Sequence, residues 1–210
     1  FIVVAGGIVR GYTGFGSGLV MVPLLAFLWD PVNAIVFTLS LGLFATIQMT
    51  FPAVKHANWR DTGPMISSAI FITPLGTILL ITLDPEIVKK IIAGVVLIFT
   101  IISLAGWNYK GPSGAIPSFI AGSVASIING VAAVGGPAFV IYLISLPEKP
   151  KVQRANIAIM TSVMGTTVLV YTLIAGQIDM KTGQRIILFA IPYILAIWTG
   201  MKLFKFLPGE

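Results

Sequence analysis

Gly11-Tyr12-Thr13-Gly14-Phe15-Gly16-Ser17-Gly18-Leu19-Val20-Met21-Val22-Pro23 decides how the rest of this chain is read. An echo lies 119 positions on: Gly130-Val131-Ala132-Ala133-Val134-Gly135-Gly136-Pro137-Ala138-Phe139-Val140-Ile141-Tyr142. At that offset Gly11 falls on Gly130, Gly16 on Gly135, and Ser17-Gly18 on Gly136-Pro137. Both copies sit in strongly apolar surroundings, although glycine and proline cost a water-exposed helix roughly 1 and 3 kcal/mol. Inside a bilayer, backbone freed in this way must be satisfied by other protein groups or line a polar cavity. Glycine-interrupted apolar segments at matching places in two halves are the pattern expected of a secondary transporter's substrate site. The plainer alternative is that small residues let helices pack closely. That alternative explains either copy alone better than it explains the pair.

Composition sets the class. Of 210 residues, 57% are hydrophobic and 10% charged, with a mean hydropathy of +1.00, whereas a soluble domain carries about 25% charged residues. This is the composition of an integral membrane protein. With no cysteine, there is no disulfide framework, thiolate nucleophile or cysteine metal site. The net charge of +6 is spread over short loops without a basic run, which fits lysines and arginines facing a membrane rather than nucleic acid. The Gly14-Phe15-Gly16-Ser17-Gly18 run lacks the lysine of a phosphate-binding loop, and no acidic residue follows at dinucleotide spacing. His56 is loop-placed and reads as solvated rather than metal-bound. No metal site, cofactor or nucleophile–base pair emerges, so no enzymatic activity is expected.

Along the chain, residues 1–29 are apolar but broken at the glycine cluster, and Asp30-Pro31-Val32-Asn33 is a turn signal. Spans are expected at 34–51, 62–83 and from Asp84-Pro85-Glu86 to Trp107. The second half repeats the plan: a broken segment at 113–146, a charged loop at 148–154, and spans at 155–175 and 186–203. Leu207-Pro208-Gly209-Glu210 echoes Leu83-Asp84-Pro85-Glu86, which opens the last span of the first half. The expected architecture is therefore an all-α polytopic membrane bundle in one integral domain. It has two repeats, residues 1–107 and 113–210, each a broken, re-entrant segment plus three transmembrane helices. The last helix of the second repeat is absent, and Phe1 starts inside an apolar stretch, so the sequence reads as clipped at both ends.

Residues 113–146 number 34, long for one crossing and short for two at about 20 residues each. Two half-helices of about 16 residues, meeting at Asn129-Gly130, would form a re-entrant hairpin. An odd number of crossings per half then inverts the second half relative to the first. Loop charges favour hairpins. With them, Lys55, Arg60, Lys110, Lys149, Lys151, Arg154, Lys202 and Lys205 fall on one side, against Lys89, Lys90, Lys181 and Arg185 on the other. That bias makes the loop after Phe51 cytoplasmic; straight crossings give an undecided seven against five.

The interior chemistry suits an anion. No carboxylate lies mid-span, since Asp30, Asp61, Asp84, Glu86, Glu148 and Asp179 all sit at span ends or in loops. Half-helix N-termini point free N–H groups and the positive end of a dipole at negative oxygens. Candidate substrate-binding residues are Thr13, Gly14, Gly16, Ser17 and Gly18 at the first break, with Asn129, Gly130, Gly135, Gly136 and Pro137 at the second. Arg10 is the one cation beside a break, and its alternative is an interfacial, snorkelling arginine. Thr38, Ser40, Gln48, Asn156, Thr161 and Ser162 lie on the spans that follow each break, where hydrogen bonding between helices is the plainer role.

The paired motifs Gly16-Ser17-Gly18-Leu19-Val20-Met21-Val22-Pro23-Leu24-Leu25 and Gly135-Gly136-Pro137-Ala138-Phe139-Val140-Ile141-Tyr142-Leu143 resemble the sulfite exporter TauE/SafE family, also called toluene sulfonate uptake permeases. The Leu83-Asp84-Pro85-Glu86 start of the fourth element fits too, and the resemblance covers nearly the whole chain. It departs in having Ser17 where the first motif usually has glycine. The resemblance implies two four-helix repeats in the bacterial inner membrane, moving sulfite, sulfonates, sulfoacetate or related small organosulfur anions. The partners expected are that anion and the bilayer. A passive anion channel and a non-transporting scaffold are the alternatives.

Overall fold

The computed structural model describes residues 1–206. Among them the chain forms nine α-helices and no strand: α1 (Ile2–Thr13), α2 (Ser17–Leu28), α3 (Pro31–Val54), α4 (Trp59–Thr82), α5 (Pro85–Leu104), α6 (Ala115–Ala132), α7 (Gly136–Ser145), α8 (Pro150–Ile174) and α9 (Met180–Phe206). Six of them, α3 to α6, α8 and α9, are long and apolar enough to cross a membrane; α1, α2 and α7 are short apolar helices. The Leu207-Pro208-Gly209-Glu210 echo lies outside the described residues.

Helix starts follow local chemistry. Asp30 accepts from the N–H groups of Val32 (2.9 Å) and Asn33 (3.3 Å), with Pro31 as the first helical residue. Asp84 and Pro85 open α5 in the same way. An acidic cap satisfies orphan donors and proline costs nothing where no intrahelical N–H bond is needed. Helices also outrun their apolar cores. α8 starts at Pro150 rather than Ala155 and takes in Lys151, Gln153 and Arg154, while the expected 52–61 loop shrinks to residues 55–58. Apolarity marks where hydrocarbon ends, but a helix continues through the interface, where Lys and Arg snorkel.

The second break is corrected most. It does not fall at Asn129-Gly130, nor are its halves equal: α6 is 18 residues, α7 is 10, and the chain turns at Ala133-Val134-Gly135. Gly130 stays helical because it is used for packing, pressed against Thr73 and Gly76 of α4. Both breaks are nevertheless hairpins. Met21 of α2 lies where a Cβ on Gly6 of α1 would sit. Tyr142 Oη of α7 is 2.9 Å from Ser118 Oγ near the start of α6, so α7 brings the chain back to where α6 began.

Two long crossings frame the bundle: α4 runs along α6, and α1 along α9. Each is closed by glycine. Gly76 meets Gly130 and the Ile127 carbonyl, while Gly11 meets Ile197 and Gly200. With no hydrophobic force between helices in lipid, such backbone-close dispersion contact is what holds them together. Between these crossings α3 packs on α8, with α4 on α8 and α9 on α3 completing the centre. α5 is peripheral, with only Val88 and Ile92 buried.

A polar network ties the ends of α4, α6, α7 and α8, with Ser118 of α6 donating to Asp61 Oδ1 (3.4 Å). The Asn58 amide donates to Asp61 Oδ2 (2.9 Å) and to Glu148 Oε1, Asn156 Nδ2 donates to Glu148 Oε2 (3.1 Å), and the Asn58 N–H donates to Asn156 Oδ1 (2.9 Å). Asp61, expected at a span end, is in the first turn of α4 and is buried.

Candidate functional site

The first break is built from two left-handed glycines. Gly14 (φ 89°) ends α1 and Gly16 (φ 91°) precedes α2, conformations that a side chain strains. Thr13 Oγ1 stitches the turn. It lies 2.8 Å from the Val9 carbonyl and 2.6 Å from that of Phe15, and accepts from the Phe15 N–H (3.2 Å). Having one proton, it serves one carbonyl at a time and is not a free donor. At the second break Ala133 takes the left-handed conformation (φ 52°) without being glycine.

The two breaks touch. A Cβ on Gly18 would run into the Ala133 carbonyl, and one on Gly136 would come 2.8 Å from the Phe15 ring. Of the expected site residues, Gly18, Gly135 and Gly136 thus lie at or beside the junction. Gly135 backs onto Ala125 and Asn129 of α6, and Pro137 is buried as an early residue of α7. Gly130 lies apart from the junction, at the α4–α6 crossing.

Beside the first break is a small cavity of about 20 Å³ between α1, α2, α3 and α8, room for about one water. Arg10, Ser17, Thr38, Thr46, Thr161 and Thr166 bring polar groups to it. Gly42 faces open space, where an added Cβ would meet nothing. Arg10 is only 5% exposed, its Nε has no hydrogen-bond partner, and among the described residues no carboxylate pairs with it. Thr38 Oγ1 is equally buried and unpaired. The Tyr193 hydroxyl is also buried and lies close to Arg10 and Ser17. Removing an unpaired charge from water costs several kcal/mol, and an arginine cannot escape by losing its proton. A cation in a hydroxyl-lined hole makes this cavity the candidate site.

The sulfite exporter TauE/SafE family model matches residues 1–210. The chain belongs to that family. It is accordingly a membrane protein of a sulfite-exporter type of transporter family, and its six span-length helices agree with this. No curated protein and no solved structure matches it significantly.

In this TauE/SafE protein the counterpart of Arg10 at the 119-residue offset is Asn129, also directly before a glycine, also buried and with its Nδ2 unpaired. It lines neither this cavity nor the vestibule described below. Sequence reasoning singled out Arg10, Thr13, Ser17 and Asn129 but not Thr46, Gly42 and Thr166, which reach the cavity only through the α3–α8 packing. The sequence alone gives Thr38 and Thr161 a packing role. Thr161 does bond the Ile157 carbonyl (2.7 Å), yet both line the cavity. Ser162 and Asn156 keep the packing role, through Thr50 (2.8 Å) and the Asn58–Glu148 network.

A far larger vestibule of about 1080 Å³ opens where α3 ends, α8 begins and α9 ends. Its cations are Lys149, Lys151, Arg154 and Lys202, with His56 beside them, and among the described residues no Asp or Glu lines it. Arg154 Nη2 donates to the Gly11 carbonyl (2.8 Å), tying α8 to the last turn of α1.

Proposed function

We propose that this protein is a secondary carrier of a small sulfur oxyanion, such as sulfite, a sulfonate or sulfoacetate, and that the anion binds at Arg10. The buried, unpaired Arg10 guanidinium in a hydroxyl-lined cavity is the observation that carries this reading. A guanidinium offers two parallel N–H donors to two oxygens of one anion. Ser17 and Thr38 can add hydroxyl donors, whereas Thr46 gives its proton to the Gly42 carbonyl (3.2 Å), and the N-terminus of α2, with Ser17 as its first residue, adds the positive end of a helix dipole. Gly16 and Gly18 let backbone approach closely. Asn129, Gly130, Gly135, Gly136 and Pro137 form the partner break, which shuts against the first and moves with the transport step.

A carrier rather than an open channel is supported by the contrast between the two ends of α3. One end opens into the vestibule. At the other, Asn33 Oδ1 accepts from the Thr182 hydroxyl (3.1 Å), Trp29, Phe37 and Phe189 stack edge to face, and Arg185 lies 4.1 Å over Trp29. The reciprocal pairing of α4 with α6 and α1 with α9, and of α4 with α8 and α9 with α3, supports two inverted repeats. The vestibule then faces the cytoplasm of a bacterial inner membrane, following its lysines. The cavity has room for one water, so an oxyanion enters only as α1 and α2 part from α3 and α8.

Sulfite titration by calorimetry, on wild type and Arg10→Gln in nanodiscs, tests this. Losing a charge-assisted bidentate contact weakens binding at least about thirtyfold. Equal affinity in both would remove Arg10 from the site.

A further inference from the structure

We propose that the vestibule holds a second, outer anion site centred on Arg154, which takes oxyanions bearing an apolar group; it rests on the carrier reading only in treating Arg10 as the inner site. Two observations outside the Arg10 cavity define it. The first is charge. Arg154 has an unpaired buried Nε, and among the described residues its one hydrogen bond is to the Gly11 carbonyl. Lys149, Lys151 and Lys202 line the same space, and among the described residues none of these cations has a carboxylate partner. The nearest acid in sequence, Glu148, has both oxygens taken by Asn58 and Asn156.

The second is the wall. The Arg154 guanidinium carbon sits 3.9 Å from the Phe204 ring centre, Lys202 Nζ 3.6 Å from that of Trp198, and Tyr12 meets Phe204 edge to face at 5.8 Å. A guanidinium held over a ring face satisfies none of its N–H donors there, so those not given to Gly11 stay free for an oxyanion. The same aromatic surface accepts an apolar tail. Such an anion fits the vestibule of about 1080 Å³ and not the inner cavity of about 20 Å³. The sites lie along one face of α8, Arg154 and Ala158 at the vestibule and Thr161 and Gly165 at the cavity, and the eleven steps from Arg154 to Gly165 span about 16 Å. The outer site therefore gathers anions at the mouth of the path to Arg10 and sorts them by tail.

The test uses the full-length protein in phosphatidylcholine nanodiscs, titrated with benzenesulfonate to read the outer site and sulfite to read the inner one. Arg154→Gln is expected to weaken benzenesulfonate about tenfold or more while shifting sulfite far less; Arg10→Gln is expected to do the reverse. Because Arg154 also ties α8 to α1, Phe204→Leu and Lys202→Gln repeat the measurement without touching that bond, and each should weaken benzenesulfonate a few-fold. Benzenesulfonate affinity unchanged in all three vestibule variants, or lost in Arg10→Gln, overturns the outer site. Displacement of benzenesulfonate by phosphatidylglycerol added to the nanodisc would make the vestibule a lipid-headgroup site and overturn it too. If benzenesulfonate binds as expected but sulfite does not bind at all, the outer site stands and the sulfur-oxyanion reading of Arg10 falls.

Discussion

The two chain breaks share a plan and differ in what they enclose. The first has Arg10 and Ser17 on a cavity; the second has Asn129 and Gly135 against packed helix, with Gly136 under the Phe15 ring. Both contain a buried nitrogen without a partner, but only Arg10's carries a fixed charge. An orphaned amide costs about 1–3 kcal/mol, an orphaned charge more. Only the first break therefore has a strong physical demand for a ligand. On the proposed reading, broken helices supply geometry and the charge beside them decides which one binds.

The largest effect is expected where the breaks meet. Gly18→Val drives a branched side chain into the Ala133 carbonyl, a backbone atom that cannot swing aside. Loss of the folded, monodisperse protein, or destabilisation by at least about 3 kcal/mol, is expected. Gly136→Ala instead meets the Phe15 ring, which can turn, and should cost about 1 kcal/mol or less. Size-exclusion profiles and melting curves check the pair, and equal tolerance would show the breaks are not in close contact.

Next comes the cavity. Gly42→Ala adds one methyl where nothing lies within 4 Å, so the fold should gain up to about 1 kcal/mol from helix propensity while sulfite affinity falls tenfold or more by occlusion. Unchanged affinity on calorimetry would place the anion elsewhere. At the second break, Asn129→Leu should leave sulfite affinity within about twofold and change stability by about 1–3 kcal/mol at most, since it removes an unpaired amide. A large affinity loss there would make the breaks equal contributors.

The smallest effect is at the start of α9. The Asp179 carboxylate is held below its ordinary value, chiefly by hydrogen bonds from Thr182, whose N–H lies 2.6 Å away. A depressed folded value means the stabilisation is present above the unfolded value and lost as pH falls through the folded one. Asp179→Ala should thus melt slightly lower than wild type at neutral pH, and the two curves should converge in acid, below the usual carboxylate range. A gap that persists there would mean the cap does not act through its charge.

Much of the fold was legible in the sequence, because glycine and proline clusters in apolar surroundings have few other uses and Asp-Pro pairs announce helix starts. The second break was misplaced because Asn129-Gly130 looks like a turn, whereas Gly130 serves the α4–α6 crossing and Ala133 turns the chain without a glycine. Arg10 and Ser17 stood out beside a break. Thr46, Gly42 and Thr166 did not, because their common face exists only once α3 and α8 pack, over a hundred residues apart in sequence. The Asp61–Asn58–Glu148 network was hidden for the same reason.

The most direct test is the melting temperature of Arg10→Met, with and without sulfite. Replacing a buried unpaired cation with an apolar side chain of similar length should raise the ligand-free midpoint, by about 1–4 kcal/mol of stability. Sulfite should then give no further shift, because binding to the native state is what stabilises it. A variant that melts lower than wild type, or that sulfite still stabilises as it does the wild type, would contradict Arg10 as the anion's partner.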